Sequence, residues 1–291
     1  MTIDISIIIV NWNVKNLLKD CLVSIENAKH TLVIETIVID NASSDGSSDM
    51  VKQEFPGVIL IANTMNKGFA AANNQGIAIA KGIYNFILNP DTELESDTLI
   101  KMHSFMQLRS DVGMIGPQLF NTDGSLQPSC RRFPRLRFQL FNKLFLSTLF
   151  PRTYLNGYMM GDFDYLKTAE VEQPMGAALF VRKSVVDKIG MMDDHNFVWF
   201  DEVDWCYQLK KAGEIILFYP EAKLTHHQGK SFRLWRNPFS GIVWLKSRHY
   251  FLKKNYGIVK ALTYVFIDFL FYCIYASIII SIIIFFINRF A

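Results

Sequence analysis

The sequence predicts an α/β domain with a parallel sheet, followed by a membrane helix. Apolar runs of strand length alternate with helical segments through residues 1 to 116, and each run ends in a polar turn, which is βαβ organisation. Near the other end, Phe269 to Ile287 is an uninterrupted apolar run of about nineteen residues, long enough to cross a bilayer core of about 30 Å. A chain of 291 residues, 50% of them apolar, can bury one large core or two modest ones.

The first element is the run Ile5-Ser6-Ile7-Ile8-Ile9-Val10, which has no basic leader and no small-residue cleavage site. It reads as a buried strand and not as a signal peptide, so the body of the protein is expected not to be exported. Strands are expected next at Ile34 to Ile39, Val58 to Ile61, Tyr84 to Leu88 and Val112 to Ile115. Helices are expected near Lys15 to Ala28, Ser47 to Phe55, Ala70 to Ala80 and Ser96 to Leu108.

Ligands in such sheets bind beyond the carboxyl ends of the strands. Asn11-Trp12-Asn13 follows the first strand, Asp40-Asn41 the second and Asn89-Pro90-Asp91 the fourth, so these residues should converge on one cleft. No G-x-G-x-x-G follows the first strand and no G-x-x-x-x-G-K-[ST] occurs, which weakens dinucleotide-binding and P-loop readings. Asp40 could accept from N3–H of uracil or thymine. Asp91 could ligate Mg²⁺ or Mn²⁺ against a diphosphate. Taken singly, each is equally a turn residue: Asn89-Pro90-Asp91-Thr92 is a good turn, and Asp40 to Gly46 has the composition of a helix-capping loop.

Further along, Trp199 to Cys206 packs Asp201, Glu202 and Asp204 between large apolar residues. Burial raises a carboxylate's pKa toward the range useful for proton transfer, and a nearby cation lowers it, so the cluster suits general-base or metal chemistry. The plain alternative is a solvated helix start, with Asp201 as N-cap ahead of Asp204 to Gly213.

Net charge is only +3, but it is unevenly distributed. From Ser125 to Gly161 lie Arg131, Arg132, Arg135, Arg137, Lys143 and Arg152 without an acid, and Gln228 to Lys260 holds eight cations without an acid. Aromatic residues interleave both stretches, and the second precedes the apolar run, so a membrane surface and not nucleic acid is the expected partner. Leu136, Leu140 and Leu144 beside Phe141, Phe145 and Leu149, with Arg137, Asn142 and Lys143 opposite, fit an interfacial helix or a core-facing one equally. Asp268 marks the expected boundary of the membrane run. Cys21, Cys130, Cys206 and Cys273 form no C-x-x-C pair, which argues against a disulfide framework or zinc site and for a reducing, cytosolic setting.

With these segments in order, the chain resembles family 2 glycosyltransferases of the GT-A fold, particularly their rhamnosyltransferase-like branch. The likeness runs from about Ile5 to Ser231 and rests on seven pieces. They are Val10 to Asn13, Ile37 to Ser47, Asn66 to Gly76, Leu88 to Thr92, Met175 to Ala178, Trp199 to Cys206, and His226-His227.

The resemblance implies a nucleotide-diphospho-sugar transferase fold, a Rossmann-like mixed sheet flanked by helices, with a C-terminal membrane helix. Together with the basic stretch and the apolar run, it divides the chain into a catalytic domain at 1–231, a basic juxtamembrane segment at 232–260 and a transmembrane or embedded helix at 261–291. The activity would be inverting transfer from a dTDP- or UDP-linked sugar, with rhamnose favoured, to a hydroxyl of a lipid-linked saccharide at the cytoplasmic face of the membrane. Asn11, Asp40, Asn66, Gly68, Asn73, Asn89 and Asp91 would bind the nucleotide sugar, and Gly176 and Asp204 the acceptor. Asp91 would be the metal-binding acid of the D-x-D element, in which Asn89 replaces the first acid, and His226 would complete the Mg²⁺ or Mn²⁺ shell with His227 its competitor. The family's Glu-Asp pair falls on Asp201-Glu202, which makes Glu202 the base and Asp201 its rival.

Three other activities compete with this one. A processive synthase would be expected to carry Q-x-x-R-W and several membrane spans, and neither is present. A polyprenyl-phosphate sugar transferase differs only in its acceptor. A membrane-tethered binding module would use the same cleft without turnover.

Overall fold

Ile, Val and Leu at successive positions suit a strand covered on both faces. β1 (Ile5–Asn11) is such a strand, lying parallel between β2 (Ile34–Asp40) and β4 (Tyr84–Leu88), with β3 (Ile59–Ala62) parallel outside β2. The computed structural model describes residues 2–154, 157–227 and 240–290, as backbone alone at 278 and 282–290. α1 (Lys15–Ala28), α2 (Ser47–Glu54) and α3 (Phe69–Ile79) make the crossovers, each within two residues of its expected bounds.

The register places the strand ends together. Asn11 lies opposite Asp40, and Ile9 opposite Leu88, so the residues after β1, β2 and β4 emerge at one edge. β5 (Thr92–Leu94) follows at once, then α4 (Thr98–Leu108) and β6 (Val112–Phe120). The expected end of this last strand at Ile115 is too early. Gly116 and Pro117 break the apolar run but not the pairing, because the partner strand carries a register shift between Tyr219 and Lys223.

The second half of the sheet is mixed. β7 (Leu126–Gln127) pairs β6, and β8 (Cys130–Arg131) later pairs β10 (Gln173–Pro174). Between them lie α5 (Leu136–Lys143), α6 (Leu146–Leu149) and β9 (Ala169–Glu170). β11 (Ala178–Arg182) runs antiparallel between β4 and β6, and α7 (Lys183–Ile189) leads on to α8 (Asp201–Lys211). β12 (Ile215–His226) then lies parallel to β6 and antiparallel to β5, with His226 opposite Thr92.

Alternate side chains fill the two faces. Ile8, Ile37, Ile39 and Ile87 pack on one, and Ile7, Ile9, Val38 and Phe86 on the other. α8 contributes Val203, Trp205, Cys206 and Leu209 to the first cluster. Phe251 and Leu252 of α9 (Ser240–Tyr256) and Ala261 and Tyr264 of α10 (Ile258–Phe290) join the same cluster. The helices after residue 240 therefore begin as part of the α/β core.

Among the described residues one helix is long and apolar enough to cross a membrane, Ile258–Ser281, with mean hydropathy 1.9. Asp268, expected at the boundary of the membrane run, lies inside this helix, paired with Arg248 and with Lys143 at 3.0 Å, and it accepts from Gln139 at 2.9 Å. The single helix suggested by the Leu136-to-Leu149 spacing is two: Phe145 takes φ 57°, which no helix residue adopts, and separates α5 from α6. Phe138 and Phe141 turn into the core, whereas Leu144, Phe145 and Leu149 stay exposed.

Much of the basic excess is neutralised within the fold, by Asp162 on Arg132 at 2.8 Å, Glu172 on Arg135, and Asp193 and Asp204 on Lys254. Lys230, Arg233, Arg236, the end of the resemblance at Ser231 and the 231/232 boundary lie outside the described residues. All four cysteines are free thiols, and Cys21, Cys130 and Cys206 are buried.

Candidate active site

The strand ends open into a cleft of about 520 Å³. Trp12, Asn41, Asn66 and Gly68 line one end, Asn89, Asp91 and His226 the floor, and Gly176, Asp201 and Glu202 the other end. Phe197, Val198 and Trp199 form a further wall.

Behind the first end, Asp40 and Asn11 are buried and do not line the cleft; Asp40 accepts from Asn11 Nδ2 at 2.8 Å, Ser43 N at 3.2 Å and Ser48 Oγ at 2.8 Å. A carboxylate offers about four acceptor positions, so about one is left over. Asn11 is thus the support of Asp40. The residue that organises the neighbouring wall is Asn41, to which the sequence reading gave no role of its own. Its Nδ2 donates to Asn66 Oδ1 at 2.8 Å and Gly68 O at 3.1 Å, and its Oδ1 accepts from Asn63 Nδ2 at 3.1 Å and Lys67 N at 3.0 Å. All the hydrogen-bonding positions of one buried amide are committed to holding the 63–68 loop. The signal was its place directly after a strand-end aspartate.

On the floor, His226 and Asp91 face each other, with Nε2 and Oδ1 3.4 Å apart and both side chains buried. Gln127 sets the histidine tautomer. Its Nε2 donates to Asn121 Oδ1 at 2.7 Å, so its Oε1 at 2.8 Å accepts the proton of His226 Nδ1. In that tautomer a lone pair on Nε2 confronts a carboxylate oxygen, a donor pair that a divalent cation satisfies. Among the described residues no three His, Cys, Asp or Glu side chains converge. Two protein ligands still suit Mg²⁺ or Mn²⁺, which commonly take further oxygens from substrate phosphate and water. His227 is directed elsewhere, with its Nε2 2.5 Å from Glu93 and its amide donating to Asp91 O at 2.8 Å.

At the far end, α8 delivers the acid pair. Trp199 and Phe200 both take left-handed φ, 67° and 66°, which turns the chain sharply into the helix. Asp201 is not the N-cap: Phe200 holds that position, Asp201 is already helical, and among the described residues neither of its carboxylate oxygens has a hydrogen-bond partner. Burial, reinforced by the charges of Glu202, Asp193 and Asp204, pushes its pKa well above the ordinary range. Glu202 is partly accessible. Burial raises it too, but the Glu202 and Val203 amides and the charge of Arg131 pull the other way.

Gly176 is the floor beneath Glu202. A Cβ there would stand 3.2 Å from both Glu202 Cβ and Cγ. Two predicted residues face away from the cleft. Asn73 donates to Phe69 O at 3.0 Å within α3, and Asp204 accepts from Lys254 at 2.7 Å and Asn255 at 2.6 Å.

A nucleotide-sized cleft at the ends of parallel strands, with two polar ends and a carboxylate–imidazole floor, defines a GT-A glycosyltransferase site. The family model described as glycosyl transferase family 2 matches residues 6–168, and the protein belongs to that family. Over 212 residues, 68% of this chain and 68% of the relative, it is 26% identical to N-acetylglucosaminyl-diphospho-decaprenol L-rhamnosyltransferase of Mycobacterium tuberculosis. Low-salt glycan biosynthesis hexosyltransferase Agl10 of Haloferax volcanii is 24% identical over 256 residues, 87% of this chain and 76% of that one. Abequosyltransferase RfbV of Salmonella typhimurium is 32% identical over 114 residues, 37% of this chain and 34% of that one. The chain is accordingly a glycosyltransferase, of a class that often uses a divalent metal.

Proposed function

We propose that this glycosyltransferase serves cell-surface glycan assembly, transferring a sugar with inversion from a dTDP- or UDP-linked donor to a hydroxyl of a lipid-linked saccharide. Rhamnose is the favoured sugar, on the likeness to the mycobacterial rhamnosyltransferase, whose name also supplies a diphosphate-linked N-acetylglucosamine as model acceptor. The observation that carries the reading is the single cleft lined by Asn41, Asn66 and Gly68, by the Asp91–His226 pair and by Glu202. Asp40 has an acceptor position for the pyrimidine N3–H, and Asn66 and Gly68 shape the wall beside it.

Glu202 is the base: it takes the proton of the acceptor hydroxyl as that oxygen bonds to the anomeric carbon and the bond to the diphosphate breaks. Bound at Asp91 and His226, a Mg²⁺ or Mn²⁺ ion supplies charge stabilisation for the departing diphosphate. The apolar span and the exposed α9 cations Lys246 and Lys253 support anchoring at the cytoplasmic face, with the α/β domain at 1–231 on the side of the nucleotide sugars.

The test is transfer by the detergent-purified chain across dTDP-, UDP- and GDP-sugars with Mg²⁺ or Mn²⁺, using lipid-linked N-acetylglucosamine as acceptor. Metal-dependent transfer from one pyrimidine donor, with inverted anomeric configuration by NMR, is the expected result; a retained configuration would refute single displacement. Gln127→Leu releases the tautomer of His226 and is expected to weaken Mn²⁺ affinity about 10–100-fold, read by titration calorimetry in the presence of nucleoside diphosphate. Unchanged affinity would remove His226 as a ligand.

A further inference from the structure

Asp201 and Glu202 are consecutive, yet the fold treats them oppositely. Glu202 has the first amides of α8 and the charge of Arg131 to support a negative charge. Asp201 has neither: it is 1% exposed, lines the cleft, and both of its oxygens lack a partner in a molecule where Asp40, Asp193 and Asp204 are each bonded more than once. A buried ionised carboxylate without a counter-charge is very costly, whereas a neutral carboxyl needs only one donor and one acceptor contact. The cation nearest by connection, Lys254, is taken up by Asp193 and Asp204.

We propose that Asp201 works as a neutral carboxyl that hydrogen-bonds a sugar hydroxyl in the cleft and leaves Glu202 the sole ionised member of the pair. This rests on the transferase reading above and adds to it a residue that selects the sugar. The strained entry through Trp199 and Phe200 has a purpose on this account. It brings an unpaired polar group to the cleft, where substrate and not protein completes its bonds. Two adjacent carboxyls thus divide into a hydroxyl reader and a base through burial alone.

Asparagine imitates a neutral carboxyl and leucine only its shape. Asp201→Asn is expected to retain about 10–100-fold more kcat/KM than Asp201→Leu, the worth of one good hydrogen bond to a buried hydroxyl. A loss confined to acceptor KM, with donor hydrolysis unchanged, assigns the hydroxyl to the acceptor; slower donor hydrolysis assigns it to the donor sugar. The pH profile gives a second readout. Native activity should fall at alkaline pH as Asp201 ionises beside Glu202, and Asp201→Asn should lack that fall. Collapse of Asp201→Asn to the level of Glu202→Gln would overturn the proposal, because it would make Asp201 a proton acceptor.

Stability tests the protonation state without any substrate. Between the unfolded pKa of an aspartate and its raised folded value, the folded state holds a proton that the unfolded state has lost, so native stability falls as pH rises through that window. Asp201→Asn has no such dependence at this position, and its thermal midpoint is expected to overtake that of the native chain increasingly as pH rises. A constant difference across pH would also overturn the proposal, whichever donor the enzyme uses.

Discussion

Replacing Glu202 by Gln is expected to reduce transfer by about 10²–10⁴-fold and to leave donor binding within about twofold. The side chains match in size, so the Gly176 floor still fits beneath residue 202, and no backbone must move. What is lost is the ability to take a proton. Because burial raises the pKa of Glu202, the native enzyme should show an acid limb at higher pH than a free glutamate would give, with activity rising as the carboxylate forms. The variant should lose that limb together with its rate. Single-turnover kinetics at saturating acceptor, set beside donor titration calorimetry, measure the two effects separately. Turnover equal to the native enzyme's would remove Glu202 as the base.

The strands and helices of the first 108 residues, β5 apart, were legible because each depends on local apolar period and a polar turn. β1 and β2 differ from expectation by one residue, and α1 matches it at both ends. The second half was not, because its strands are short, mixed in direction and fixed by partners far along the chain. β5 looks like the end of a turn until β12 pairs with it, and that pairing is what carries His226 to Asp91. No spacing rule connects residues 91 and 226.

The same distinction runs through the site. Strand-end position was enough to single out Asp40, Asn89 and Asp91, and the resemblance supplied Glu202. Which of two adjacent histidines faces the cleft depended on the pairing of β12 with β5, and the tautomer of that histidine on Gln127, a residue with no motif around it. The division between Asp201 and Glu202 depended on burial and on which of them gains the helix amides, neither of which the order of two acids can express. Asp204 shares their apolar setting, and only the position of Lys254 shows that it braces α8 against α9. That brace reaches the cleft: Ser247 donates to Val198 O at 2.9 Å and Tyr250 to Asp193 at 2.9 Å, so α9 holds the loop that forms the cleft wall.

Gly68→Ala should be the most damaging alanine substitution among the described glycines of left-handed φ. Gly68 takes φ 86° and ψ 179°, a region open essentially to glycine alone, and placing alanine there costs roughly 1–3 kcal/mol of backbone strain. Its new Cβ would also stand 2.3 Å from Phe197 O and 3.0 Å from Phe197 Cα and C. These are backbone atoms, and a side-chain rotation cannot relieve the overlap. The 193–200 loop cannot simply retreat. Phe197 O accepts from Phe69 N at 3.0 Å, Met192 is tied to Asn74, and α9 holds Val198 and Asp193 from behind. Alanine must therefore open the Phe69–Phe197 contact, moving Phe197, Val198 and Trp199 out of the cleft wall and loosening the start of α8. Thermal midpoint, donor affinity and kcat should fall together. Gly124 supplies the control: its φ is 80°, but a Cβ there meets nothing within 4 Å. Gly124→Ala should cost only about 1–2 kcal/mol of left-handed strain and leave kinetics unchanged. Equal effects of the two substitutions would mean that the approach of Phe197 to Gly68 has no part in shaping the cleft.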